Sequence, residues 1–179
     1  GAANRRGHHM NILIITQKVD ATDSNLGFFV RWIEKFAETA EVTVIANEVH
    51  PDARNYMPEH VSLLSLGKES GTPRFQKLRR YRALLWEHLP RTDGIFFHMC
   101  PEYVLAAGGL PRKYGKRAIL WYVHKSVSLR LRAASWFVDA IFTASKESFR
   151  LRSKKVEVVG HGIDVESFSP MIEPVARPT

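Results

Sequence analysis

Cysteine is almost missing from this 179-residue chain: Cys100 stands alone, so no intrachain disulfide can form. A single thiol suits a reducing compartment. No apolar run approaches the roughly 18 residues needed to cross a bilayer. Three glycine-bearing signatures are missing as well. There is no G-x-G-x-x-G, which disfavours a dehydrogenase-type dinucleotide site, no G-x-x-x-x-G-K-[ST] phosphate loop and no G-x-S-x-G nucleophile elbow. Of eight histidines, two fall in the first nine residues, and no Cys/His pair has metal-ligand spacing, so no metal site is expected.

Acidic residues are also scarce, 18 against 26 Lys and Arg, for a formal charge of +8. Gly1–His9 reads as an expression scar before a natural start at Met10, and setting it aside lowers the charge to +6. The basic residues occur in separate pairs, Arg79-Arg80, Arg112-Lys113, Lys116-Arg117 and Lys154-Lys155. Such a balance suits an acidic partner, whether nucleic acid, anionic lipid or a phosphorylated small molecule, and it equally suits solvated helix faces. The chain is expected to be cytoplasmic, with peripheral contact to the inner face of a membrane left open.

What the chain does have is alternation. Short apolar, β-rich runs at 11–15, 42–45, 61–66, 94–97, 118–123, 140–143 and 156–159 are separated by stretches with helical spacing. Those stretches are Phe28 to Phe36, Phe75 to Leu89, Tyr103 to Leu110 and Val127 to Phe137. Several runs are apolar on both faces, as parallel strands covered by helices must be. The expected fold is therefore α/β, a Rossmann-like doubly wound sheet of about seven parallel strands with helices on both faces. In the third stretch-and-helix unit, Phe75, Leu78, Leu85 and Leu89 are expected to face the core.

Ligands of such sheets bind beyond the carboxyl ends of the strands. After the first strand, the loop Thr16 to Gly27 offers Asp20, Asp23, Asn25, Leu26 and Gly27 ahead of a helix whose free N–H groups suit a phosphate. A plain structural turn explains Gly27 as well as a ligand loop does. His98 and Glu102 follow the fourth strand, where His98 is either a rim residue or one bonded to nearby backbone. His124 and Lys125 follow the fifth, and an imidazole there can donate to a sugar hydroxyl or a phosphate oxygen. Ser145 follows the sixth and is expected to cap a helix. Paired glycines in Gly160-His161-Gly162-Ile163-Asp164 form the last turn.

Together these residues resemble the N-terminal domain of GT-B glycosyltransferases of the retaining family 4 type. The most specific part is Gly160-His-Gly-Ile-Asp164 with Phe168 and Pro170, similar to the family's N-G-V-D-x-x-x-F-x-P. Val138-Asp-Ala-Ile-Phe-Thr-Ala-Ser145 and Ile119-Leu-Trp-Tyr-Val-His124 support it. The chain departs from the family in having Leu26 before Gly27 in place of a second glycine, and His161 in place of asparagine. The resemblance implies an acceptor-binding half, residues 10–170, with 171–179 opening the linker to a donor-binding domain. It implies that His124 contacts the transferred sugar and that Asn25, Leu26 and Gly27 approach the donor phosphates. Asp20, Asp23, His98, Glu102 and Lys125 would lie on the acceptor side, and Ser145, His161, Gly162 and Asp164 would shape the cleft and hinge. No cofactor is implied for this domain, only a nucleotide-sugar donor for the whole enzyme, and the domain alone should be inactive. Two other readings stay open. One is a binding module that recruits a lipid-linked or anionic acceptor through the basic stretch Arg74–Leu89, and the other is half of a sugar-nucleotide epimerase. A nucleic-acid partner is not expected, because the net charge is moderate, the aromatics mostly fall at core spacing and no recognition motif is present.

Overall fold

The computed structural model describes residues 10–160, apart from Asn25, Lys125, Ser148 and Arg152. Seven strands form one wholly parallel sheet: β1 (Met10–Val19), β2 (Ala40–Val49), β3 (Ser62–Ser65), β4 (Gly94–His98), β5 (Arg117–Trp121), β6 (Ala140–Thr143) and β7 (Val156–Val158). Their order is β3-β2-β1-β4-β5-β6-β7. The chain thus starts in the middle, winds outward to β3, and returns to wind the other way from β4. The reversal between β1 and β4 is the topological switch point, where crossovers leave a crevice at the carboxyl ends.

Six helices connect the strands: α1 (Phe28–Ala37), α2 (Ala53–Tyr56), α3 (Arg74–His88), α4 (Pro101–Ala107), α5 (Leu110–Lys113) and α6 (Leu129–Ala134). In α1, Phe29, Val30, Ile33 and Ala37 recur at helical spacing and are all buried. Together with Ala53 of α2 they cover Ile14, Val42 and Val44 on one face of the sheet. The other face receives Tyr81 and Leu85 of α3, Val104 and Ala107 of α4, and Leu131 and Ala134 of α6, packed on Leu13, Ile15, Phe97 and Leu120. Burying each of the large aliphatic side chains contributes about 1.5–3 kcal/mol. Pro101 opens α4, where its missing N–H costs nothing. The hydroxyl of Ser128 caps α6 by accepting from the Leu131 N–H at 3.2 Å.

Three expectations are corrected. The helix expected over Tyr103–Leu110 breaks into α4 and α5, because Gly108 adopts φ +56 and ends the first segment. Phe75 and Leu78 are exposed rather than buried; of the α3 side chains only Tyr81 and Leu85 are fully buried, with Leu84 packed beside them. No helix follows Ser145 among the described residues. Its hydroxyl instead bonds the Glu147 carboxylate, which that bond and Glu147's own N–H hold below its usual value, the N–H contributing most.

The two faces are not equally covered. Beyond α1, the side of β4–β7 that α1 shares has no described element over it. Ile12, Phe96, Ile119, Trp121 and Phe142 floor an apolar groove of about 750 Å³, walled by Trp32 and Phe36.

Candidate functional site at the carboxyl edge

Hydrogen bonding at the switch point begins with the polar tail of β1. Gln17 donates from its amide nitrogen to the carboxylate of Glu102 in the first turn of α4. The Gln17 carbonyl accepts from Asn47 of β2 at 3.4 Å, and Asn47 accepts from Lys77 of α3 at 2.9 Å. One chain of contacts therefore joins the ends of β1 and β2 to α3 and α4 across the crevice. Glu102 is itself exposed.

Lys18 organises the loop before α1. Its ammonium lies 3.0 Å from both Asp20 and Asp23 and 3.5 Å from Glu48. Hydrogen bonds to Asp20 and then Asp23 raise its pKa. The buried Asp20 carboxylate also accepts from the Thr22 N–H at 2.9 Å and the Thr22 hydroxyl at 2.7 Å. Those bonds, the Thr22 hydroxyl first and Lys18 next, hold Asp20 far below the ordinary carboxylate range. Asp23 accepts from the Leu26 N–H through its side chain at 2.9 Å and from the Gly27 N–H through its carbonyl at 2.9 Å. The aspartates expected on the acceptor side thus brace their own loop, and the amides of Leu26 and Gly27 are engaged within it. Gly27 has an ordinary helical conformation, but a Cβ there would meet the Asp23 carbonyl oxygen at 2.6 Å and that of Ala21 at 2.8 Å. A glycine is required by the close approach of the loop to itself.

His98 is not on the rim. At 1% exposure it lies beneath α1, its ring stacked on Phe29 with centroids 3.6 Å apart, and Nδ1 is 3.1 Å from the Thr16 hydroxyl. Nε2 has no partner among the described residues, and burial lowers the pKa to about 3, so the ring stays neutral. The next residue, Met99, takes φ +55, a left-handed conformation that β-carbon crowding disfavours. It is held there by two bonds to the end of β5 and the residues after it: its N–H donates to the Trp121 carbonyl at 2.9 Å, and its sulfur accepts from the Val123 N–H at 3.1 Å. Strain of this kind beside a ligand crevice is a common mark of a working site.

His124 is exposed just past β5. Its Nδ1 accepts from the Ser126 N–H at 3.1 Å and lies 2.7 Å from the Ser126 hydroxyl. That assignment leaves a proton on Nε2, for which the described residues show no partner. Tyr122 bridges toward the switch point: its ring is 6.4 Å from that of His124, and its hydroxyl pKa is raised by burial and by the nearby Glu102 carboxylate. The structure thus brings Gln17, Glu102, Tyr122 and His124 to one edge as a set of hydrogen-bond donors and acceptors. Gln17, Met99 and Tyr122 were not singled out from sequence. The two-residue repeat of a strand places Tyr122 and His124 on one side of their segment, a signal that was available for Tyr122. Asn25, Lys125, His161, Gly162 and Asp164 lie outside the described residues. Among the described residues no group of three His, Cys, Asp or Glu is placed to hold a metal ion.

No protein-family model and no curated protein matches the chain. Solved structures do. The lipopolysaccharide outer core galactosyltransferase WaaB in its apo form superposes with a TM-score of 0.57 at 12% identity, over 86% of this chain and 46% of that one. Acinetobacter baumannii MurG gives 0.53 at 12% identity, over 83% and 45%. Phytolacca americana UGT2, complexed with UDP-2fluoro-glucose and pterostilbene, gives 0.52 at 10% identity, over 78% and 49%. The fold is that of a GT-B glycosyltransferase domain. The chain spans under half the length of each of these proteins. They do not distinguish the retaining family 4 type.

Proposed function

We propose that this chain is the acceptor-binding half of a glycosyltransferase that moves a sugar from a nucleotide-sugar donor to an acceptor with retention. The observation that carries this reading is the exposed His124, whose Nδ1 is fixed by Ser126 so that Nε2 is left as an outward hydrogen-bond donor at the crevice edge. Such a donor suits an oxygen of the transferred sugar. Gln17 near the end of β1 and Glu102 in the first turn of α4, on the same edge, supply an amide and a carboxylate for acceptor hydroxyls.

In this proposal the domain does no bond-breaking of its own. The second domain holds the nucleotide, the donor's phosphate takes the acceptor proton on the face from which it departs, and this half orients the two sugars. Positioning and fixed dipoles can supply most of the rate of such a transfer. His161, Gly162 and Asp164 would form the turn toward that second domain, with residues 171–179 as the start of the linker.

The test is sugar transfer by the enzyme containing this domain and its donor-binding unit, followed by mass spectrometry of the acceptor. His124→Ala should lower kcat by roughly 10²–10³-fold, as removal of one transition-state donor does elsewhere, while the acceptor KM moves little. A His124→Ala enzyme with unchanged kcat would refute the role, and transfer by the isolated chain would refute the division of labour.

A further inference from the structure

β4 leaves the sheet abruptly at Met99. Among the described residues every other positive-φ position holds a glycine, and Met99 has φ +55. A glycine would make this turn at no steric cost, but it would lose the contact that the methionine side chain makes. Both neighbours pin the turn. His98 before it is buried, stacked on Phe29 and 3.1 Å from the Thr16 hydroxyl. Cys100 after it is fully buried, its thiol donating to the Ile15 carbonyl at 3.5 Å, and Pro101 then opens α4. A strained backbone persists where its surroundings over-determine it in this way.

That contact falls on the segment that carries His124. β4 and β5 run parallel with His98 opposite Trp121, and the Met99 N–H continues the ladder to the Trp121 carbonyl. In an unbroken parallel ladder the next bond would run from the Val123 N–H to the Met99 carbonyl. With Met99 turned left-handed, it is the sulfur that accepts from the Val123 N–H, at 3.1 Å. On the other side the tail is tied to β6, the Tyr122 N–H donating to the Phe142 carbonyl at 2.9 Å. Tyr122 and Val123 are thus fastened to opposite neighbours immediately before the exposed His124, whose ring then meets Ser126. Met99 and Val123 are both half-buried against the cluster under α1. Packing there needs only an apolar side chain, whereas the Val123 N–H needs an acceptor.

We propose that Met99 is a positioning residue for His124, its thioether holding the end of β5 so that the imidazole keeps one place at the crevice edge. Its effect on rate rests on the reading of His124 as a donor to the transferred sugar; its effect on the ring does not. Two substitutions separate the acceptor from the packing. Met99→Leu keeps the apolar bulk and removes the acceptor. Met99→Asn sheds the bulk, places an amide oxygen at the sulfur's position along the side chain and tolerates a left-handed backbone. In the enzyme containing this domain and its donor-binding unit, Met99→Leu should lower kcat roughly tenfold, part of the hundredfold that an ångström of misplacement can cost, with little change in acceptor KM. Met99→Asn should recover most of that loss. In a His124→Ala background Met99→Leu should cost nothing further. The second readout is nitrogen NMR of the full chain at about pH 8, above the ordinary imidazole range. The two ring nitrogens of His124, assigned by their loss in His124→Ala, should lie far apart, as in a single tautomer. Met99→Leu should draw them together and Met99→Asn should not. Circular dichroism reports folding, and Met99→Gly, which relaxes the turn and also lacks the acceptor, repeats the test should Met99→Leu unfold. Unchanged ring nitrogens in Met99→Leu, a Met99→Asn enzyme slower than Met99→Leu, or a further loss in the His124→Ala background overturns the proposal. Should His124→Ala turn over normally, the sugar-contacting role falls and the nitrogen spectra alone decide whether Met99 places the ring.

Discussion

Gly27 offers a substitution for which two physical effects oppose each other and the structure decides between them. Its φ of −58° and ψ of −33° suit any residue, and replacing glycine by alanine at such angles gains about 0.4–1 kcal/mol, chiefly by restricting the unfolded chain. Backbone preference alone therefore predicts stabilisation. The added Cβ, however, would lie 2.6 Å from the Asp23 carbonyl oxygen and 2.8 Å from that of Ala21, where ordinary contact begins near 3.4 Å. Both atoms belong to a loop pinned by Lys18 to Asp20 and Asp23 and by the Ala21 N–H to the Tyr56 hydroxyl at 3.1 Å. Overpacking against atoms that cannot withdraw costs about 1–3 kcal/mol, which exceeds the backbone gain in most of that range. Gly27→Ala should lose about 1–2 kcal/mol net, and a chain of this size should then melt roughly 2–8 °C lower. Thermal unfolding followed by circular dichroism measures it. Releasing the loop with Lys18→Met should shrink the penalty, giving a coupling of about 0.5 kcal/mol or more in a double-mutant cycle. An unchanged or raised Tm for Gly27→Ala would refute the steric account and return the glycine to a ligand role.

Other outcomes follow from the same contacts. Asp20 titrates lower in the folded chain than its unfolded 3.8; its stabilisation is complete above that value and is lost as pH falls through the folded one. Asp20→Asn should therefore flatten the dependence of Tm on pH below about pH 4. His98 works from the other side: its folded pKa of about 3 lies below the ordinary 6.5, so the unfolded chain takes up the proton first. Stability should drop between pH 6.5 and 3 by up to about 4 kcal/mol, and His98→Phe, which keeps the stack on Phe29, should remove that drop in pH-dependent denaturant titrations.

The sheet was readable because strands covered on both faces must be apolar throughout, and β4 to β6 are found within one or two residues of their expected bounds. The polar ends of β1 and β2 were not readable. Lys18 pairs with Glu48 and Val19 with Val49 well past the apolar run, where only the partner strand shows that a polar stretch is extended. His98 was expected at an open strand end, yet β4 continues through it, opposite Trp121. The two-residue repeat could have corrected this, since His98 shares a side with Phe96, and that side faces α1. Helical spacing placed Phe75 and Leu78 in the core with Leu85, whereas α3 buries Tyr81 and Leu85, four residues apart on one side. The left-handed Met99 left no trace in sequence, as methionine has no preference for that conformation.

The groove over β4 to β7 bears on how the domain behaves at the bench. Among the described residues nothing beyond α1 lies over this trough, and an apolar surface of that size favours pairing with another, so concentrated samples are expected to self-associate along Ile119 and Phe142. Particle mass measured on such samples would then report sticking along this trough and say little about any biological assembly.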